Sequence, residues 1–196
     1  MTGILISAGS FSQLRLPAFV RDSMILQRDQ KVNIWGWAAA KEKLAVKFNG
    51  KTYKTVADTA GRWLVKLPPT AAGGPYTIEL RASNTVILRE VLFGDVWFCS
   101  GQSNMVHQMD IHDVRYAAEI AAANYPQIRQ CWIPTLTNLQ QAQQDLPPVY
   151  WKPAVGAEVR PFSAVAYFLP KNCTINSVCP LVLLMPVWVV HPLRRG

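Results

Sequence analysis

The chain has 196 residues, half of them hydrophobic, with 16% charged and a formal net charge of +8. That is enough apolar material to bury the core of one domain or two small ones, and no apolar run reaches the ~18 residues of a membrane span. Lysines and arginines are scattered among Asp and Glu without a basic run, which describes a solvated surface and argues against a nucleic-acid partner.

In chain order, Gly3 to Ala8 is a short apolar patch without a basic segment before it. It is too short for the core of a signal peptide, so a leader is expected to be absent or cut short. Residues 31 to 93 then carry an antiparallel β pattern. Lys31 to Trp37 is one strand. Leu44, Val46 and Phe48 alternate with polar neighbours, Asn49-Gly50 is a hairpin signal, and Thr52 to Val56 returns. Asp58 to Gly61 turns into a strand over Arg62 to Leu67, and Pro68-Pro69 and Gly73-Gly74-Pro75 separate it from strands over Tyr76 to Leu80 and Val86 to Leu92. Short strands at this spacing predict a small β-sandwich over residues 1–93. Trp35, Trp37 and Trp63 read chiefly as sandwich core, with a sugar-stacking platform as the alternative.

Gly94-Asp95 marks a boundary, and the uniformly apolar Val96 to Cys99 predicts a fully buried strand of an α/β sheet ending in a tight turn at Ser-Gly. Ser103 falls at that turn, where a hydroxyl is either a nucleophile at the carboxyl end of a strand or a helix N-cap. His107, Asp110, His112 and Asp113 follow; their spacing matches no metal-ligand set, and Asp113 reads as the N-cap of a helix over Val114 to Ala123 that stops near Pro126. Gln127 to Trp132 suggests a strand, the Gln-rich Thr135 to Pro148 a surface loop, and Trp151 to Arg160 an irregular stretch. Ser163 is placed to cap a helix starting at Ala164.

Gly101-Gln102-Ser103-Asn104-Met105 is not the G-x-S-x-G elbow, because Met105 stands where its second glycine belongs. It is similar to the first block of the SGNH-hydrolase superfamily, and the longer GDVWFCSGQSNM resembles the sialate O-acetylesterase family. The upstream LPAFVRDSMILQRDQKVNIWGWA and GGPYTIEL and the downstream EIAAANYPQIR and FSAVAYF are similar to the same family. The resemblance implies a mixed fold, with the β-sandwich followed over residues 94–168 by the start of an α/β SGNH-like esterase domain. It also implies acyl transfer from an O-acetylated sialic acid or related sugar, with Ser103 as nucleophile and Gln102 and Asn104 shaping the turn and touching substrate or oxyanion. No metal or organic cofactor is implied. The family is secreted, periplasmic or lysosomal, and its catalytic base lies in an Asp-x-x-His block far downstream, so His107 is not expected to serve.

From Leu169 onward the agreement between levels stops. Pro170 interrupts the helix, Cys-Thr-Ile-Asn-Ser-Val-Cys follows without amphipathic period, and Pro180 to Val190 is apolar throughout. The plain reading is a buried strand with a frayed tail. A sharper one is a lost base near the codons of Leu169 to Lys171. Read in the adjacent frame, Cys173 to Gly196 becomes LYNQFGVPIGLINASLGGTPAEAW, and the junction becomes YFLAKELYNQ or YFFAKELYNQ, without the proline. Two steps allow no choice: Met185-Pro186 encodes an alanine in that frame and Trp188-Val189 a glycine. The result resembles the family's text at this point. On this reading residues 169–196 are aberrant, Cys173 and Cys179 are accidental, and the four cysteines form no disulfide framework. Removing the tail's Lys171, Arg194 and Arg195 lowers the net charge to +5.

Neither the glycine block nor an Asp-x-x-His is then encoded, and loss of triad partners removes most of a serine esterase's rate. The expectation is a family member with little or no turnover. The alternatives are a stand-alone carbohydrate-binding β domain and a non-functional gene fragment.

Overall fold

The computed structural model describes residues 13–101, 103–134, 142–174 and 181–186. The apolar patch at Gly3 to Ala8, Gln102, Cys179 and the first half of the Gln-rich stretch lie outside them.

Seven strands precede the Gly101–Met105 block: β1 Ile25–Gln27, β2 Val32–Trp37, β3 Lys43–Phe48, β4 Lys51–Val56, β5 Arg62–Leu67, β6 Gly73–Arg81 and β7 Thr85–Gly94. Their boundaries follow the alternating pattern. In β5, Trp63, Val65 and Leu67 are buried while Arg62, Leu64 and Lys66 face out, the period of two of a strand with one covered face. Asn49 and Gly50 both adopt positive φ, +46° and +74°, the combination a two-residue hairpin with right-handed strand twist requires.

Five strands form one sheet in the order β1-β7-β6-β3-β4, and β2 pairs with β5 in a second. Buried residues from both, among them Ile34, Leu67, Val46, Phe48, Leu80 and Phe93, share one core. The sheet is not purely antiparallel: β1 joins β7 in parallel register, Ile25 opposite Leu92. The short Ile-Leu-Gln run carries no alternation long enough to reveal that pairing in advance.

The rest of the chain builds a sheet of four strands in the order β10-β9-β11-β8, comprising β8 Phe98–Gly101, β9 Asn124–Trp132, β10 Trp151–Val155 and β11 Leu181–Pro186. Strands β8, β11 and β9 run parallel, and β10 closes one edge antiparallel to β9. Helix α1, Asp113–Ala122, connects β8 to β9, and α2, Ala164–Thr174, precedes β11. Ser163 caps α2, its Oγ accepting from the Ala166 N–H at 3.4 Å, as read from the sequence.

Several expectations are corrected. The strand expected to be fully buried is β8, shifted to Phe98–Gly101, and only Cys99 in it is buried; Trp97 and Phe98 are 47% and 59% exposed. The reason is position: β8 is the last strand of its sheet, bonded on one side to β11 among the described residues. Trp151 to Val155, expected to be irregular, pairs with Cys131 to Asn124 through a register shift at Pro153/Ala154. Pro153 masks the strand signal but is tolerated on an edge. Asp113 is the first residue of α1 and not its cap; the cap position is His112, without a side-chain hydrogen bond. Helix α2 continues through Pro170 to Thr174, at the cost of the backbone bond Pro170 cannot donate.

The two halves share their interior. Cys131, Ile133, Val149 and Trp151 belong to the same core as β2 to β7. Arg129, 7% exposed, donates to the carbonyls of Ser23 (2.8 Å) and Glu90, so a buried cation is satisfied by backbone from the other sheet. Asp145, in the Gln-rich stretch, is anchored by the Ala18 N–H (3.1 Å) and Arg15 (3.3 Å).

Candidate active site

Strand β8 ends at Gly101, and residues 103–105 form a turn, not the start of a helix. The helix-cap alternative for Ser103 therefore falls, since α1 begins ten residues later at Asp113. Ser103 and Asn104 are both exposed. The turn folds tightly back on the strand: a Cβ on Gly101 would lie 3.2 Å from that of Met105, so a side chain there would push the turn away. Met105 in turn packs with Trp132 against Cys99 and Ala166, which anchors the turn to the sheet below.

Register places the turn at a shared edge. Leu184 of β11 is level with Cys99 on one side and with Trp132 on the other. The carboxyl ends of three parallel strands thus lie side by side, with Trp132 two strand spacings, roughly 10 Å, from Cys99. This edge is where open α/β sheets bind ligands.

The chain after Ser103 is held by the segment leading into α2. Ala164 N–H donates to the His107 carbonyl (2.8 Å), Met109 N–H to that of Phe162 (2.9 Å) and Asp110 N–H to that of Arg160 (3.1 Å), while Arg160 pairs with Asp113. The His107 and His112 rings stack 4.5 Å apart, with their Nε2 atoms 2.6 Å from each other. His107 Nε2 is therefore engaged with His112 and not with Ser103. No group of three or more His, Cys, Asp or Glu side chains converges as a metal site among the described residues.

A cleft of about 310 Å³ has walls that include Gln108, Gln130, Trp132, Val149, Tyr150 and Phe162. Gln130 is 4% exposed; its Oε1 accepts from the Ser163 N–H at 3.3 Å, and its Nε2 has no hydrogen-bond partner among the described residues. A buried donor left without an acceptor costs about 1–3 kcal/mol. Sequence reading missed this cleft, because its walls come from four separate segments that only the fold assembles.

Of the tryptophans considered for sugar stacking, Trp63 is buried at 4% exposure. Trp35 and Trp37 form an edge-to-face pair at 5.2 Å, and Arg15 covers the Trp37 ring at 3.9 Å. Cys99 and Cys131 are buried free thiols. Burial pushes both thiols up, that of Cys131 to about 12 despite nearby Arg21, so neither is a nucleophile at neutral pH. No helix among the described residues is long and apolar enough to cross a membrane.

No family model matches the chain. A sialate O-acetylesterase from Rattus norvegicus is 31% identical over 210 residues, covering 96% of this chain and 38% of the rat protein. The Homo sapiens sialate O-acetylesterase is 33% identical over 104 residues, covering 46% of this chain and 20% of the human protein. The crystal structure of a carbohydrate acetylesterase from Xanthomonas citri superposes with a TM-score of 0.82 at 37% identity, over 88% of this chain and 40% of that one. The chain thus spans about two fifths of the rat relative's length, and over nearly all of its own length it is similar to sialate O-acetylesterases.

Proposed function

We propose that this chain carries the nucleophile-bearing part of a serine O-acetylesterase that removes acetyl groups from sialic acid or a related sugar. The observation that carries the reading is the placement of Ser103, an exposed hydroxyl on a turn at the carboxyl end of β8, in a chain whose relatives are named for O-acetyl ester hydrolysis. Ser103 Oγ attacks the acetyl carbonyl, a histidine takes its proton, and backbone N–H groups of the turn hold the tetrahedral oxyanion. Asn104, exposed beside it, and Gln102 shape the turn and contact substrate. The resemblance to that family also suggests a secreted or periplasmic setting.

Residues 1–93 read as a small β-sandwich, 94–168 as the opening of the SGNH-like esterase domain, and 169–196 as a frame-shifted tail. Support for the tail reading comes from two places. Helix α2 runs through Pro170, where the restored frame has alanine. The six positions of β11 are Ile-Gly-Leu-Ile-Asn-Ala in the restored frame, still a mainly apolar strand. Among the described residues His107 is engaged with His112 and not with Ser103, so we expect these residues alone to turn over little substrate.

Sequencing across the codons of Leu169 to Lys171 tests the frame; an intact frame encoding the tail as written would refute it. p-Nitrophenyl acetate hydrolysis tests the chemistry. The present chain should be no faster than its Ser103→Ala variant. In the corrected, read-through protein the same substitution should cost about 10⁴-fold or more in kcat. Hydrolysis by that protein unaffected by Ser103→Ala would remove the nucleophile assignment.

A further inference from the structure

We infer that the outward face of the five-stranded sheet around Ala45 is a binding site for an acidic polysaccharide, a linear sugar chain carrying repeated carboxylate or sulfate groups. The cations are scattered along the chain, but the fold collects them. Residues 1–94 hold 13 basic and 6 acidic residues, so +7 of the net +8 belongs to the strand-rich half. Along β3, Leu44, Val46 and Phe48 are buried, which turns Lys43, Ala45 and Lys47 outward. Ala45 is level with Lys54 of β4 on one side and with Arg81 of β6 on the other. Lys43 and Lys47 lie two residues away along the strand in each direction. One small side chain is thus ringed by four cations, each the diagonal neighbour of the next at roughly 7–8 Å.

The ring is open to solvent and short of counter-charge. All four cations are exposed, and the three lysines make no hydrogen bond or ion pair among the described residues. Glu79, on the same face, accepts from Arg81 Nε at 2.6 Å and fixes a guanidinium that is 66% exposed. Glu42, next to Lys43 in the chain, is committed to the backbone N–H groups of Ala39 (2.9 Å) and Ser83 (2.6 Å). Clustered like charges on a sheet face repel, so the ring works against the fold and adds nothing to the core beneath it. An anion seated over Ala45 removes that repulsion. Because the Ala45 side chain is a single methyl group, the ring encloses a hollow of about 490 Å³, walled by Lys43, Lys54, Val56 and Arg81 among others.

The surroundings select among polyanions. Tyr53 and Tyr76 turn to the core, so the face lacks the stacking rings on which single-stranded nucleic acid is held. A planar lipid surface would meet the rim of the hollow and not its floor. Around the cations stand Thr52, level with Lys47, and Thr85, level with Arg81, with Val56 beside Lys43 and Ile87 beside Glu79. Val56 and Ile87 are 54% and 38% exposed. Hydroxyls interleaved with apolar side chains match the alternating O–H and C–H surface of a sugar chain, and the cations match its acid groups. The site lies toward β3 and β4, away from the β1 and β7 end that Arg129 fastens to the other half, and it does not rest on the esterase reading.

Binding to the full chain tests it. Fluorescently labelled oligosaccharides of heparin (sulfated), of polygalacturonate (carboxylated) and of neutral maltose units are titrated and followed by anisotropy. At least one acidic sugar should bind, more weakly as salt rises, and the neutral one should not. Lys43→Gln combined with Lys54→Gln should weaken binding about tenfold or more. Lys31→Gln combined with Lys66→Gln removes the same charge from exposed positions on and beside the β2-β5 sheet and should leave affinity unchanged. Ala45→Glu supplies an anion from the chain itself. It should abolish binding while keeping or raising the melting temperature, because Lys54 and Arg81 flank it. Failure of both acidic sugars to bind, affinity unchanged in the Lys43 and Lys54 double variant, or equal loss in the two double variants would overturn the inference. So would tighter binding of duplex DNA or of phosphatidylserine vesicles than of either acidic sugar. Ser103-dependent turnover bears on none of these outcomes.

Discussion

The indole N–H of Trp151 donates to the carbonyl of Phe19 at 2.8 Å, joining residues 132 positions apart and fastening the edge strand of the α/β sheet to the loop before β1. Trp151 is 8% exposed within the core shared with β2 to β7, so the contact is packed as well as bonded. Trp151→Phe deletes the donor and leaves a gap, with an expected loss of about 1–3 kcal/mol. Urea unfolding followed by tryptophan fluorescence and by far-ultraviolet circular dichroism should give one coincident, left-shifted transition, since the two sheets share an interior. Separate transitions for the two probes would show that they unfold independently.

A second prediction concerns pH. Glu119 of α1 accepts from the Tyr167 hydroxyl (2.5 Å) and from Lys171 (2.6 Å), tying α1 to α2. Burial pushes the Glu119 carboxyl up, but the hydrogen bonds from Lys171 and Tyr167 and the charge of Lys171 outweigh it and hold the group below 4.5. A carboxyl lowered on folding stabilises the protein above its unfolded value, and that contribution drains away as pH falls through the folded value. Lys171 is raised above 10.5, chiefly by its hydrogen bond to Glu119, so its share is present below that value and is lost as pH rises through the folded one. The carboxyl and the amine are 23% and 20% exposed, which supports a contribution of about 1–2 kcal/mol near neutrality. Melting temperature against pH should fall less steeply on the acid side in Glu119→Gln than in the parent chain.

Thiol chemistry offers a third. With Cys99 and Cys131 buried and their thiols pushed up by burial, a maleimide at pH 7 should leave both peptides unlabelled in the native protein and label both after denaturation, as read by mass spectrometry. Labelling of Cys131 in the native state would contradict the packing of β9.

The proline inside α2 offers a fourth. Pro170 lies within Ala164–Thr174, where a proline costs ~3 kcal/mol relative to alanine. Pro170→Ala should raise the midpoint of urea unfolding, with a gain in unfolding free energy approaching that figure. An unchanged midpoint would mean that residues 169–174 contribute nothing to the helix.

How much of this could be read in advance varies by segment. Asn49-Gly50, the alternation of β3 and β5 and the Ser163 cap were legible because each depends on contacts within a few residues: positive φ in a two-residue turn, a period of two, a hydroxyl reaching an N–H three residues on. The GQSNM block was legible as a resemblance and correctly located the turn after β8. The strand at Trp151–Val155 was hidden by Pro153, and the exposure of Phe98 was misread because an apolar run carries no information about which strands flank it.

By itself the sequence determined most of the local elements and the resemblance to sialate O-acetylesterases, since propensity, turn chemistry and a contiguous motif are properties of short stretches of chain. Only the tertiary structure decided three other matters. Among the described residues it put β8 at a sheet edge, it satisfied the buried guanidinium of Arg129 with carbonyls of Ser23 and Glu90, and it assembled the Gln130 cleft from β9, β10 with the residues just before it, and the segments that precede α1 and α2. The reason is the same in each case. Burial and hydrogen-bond satisfaction depend on which distant segments meet, and that choice is made by the packing of the whole chain.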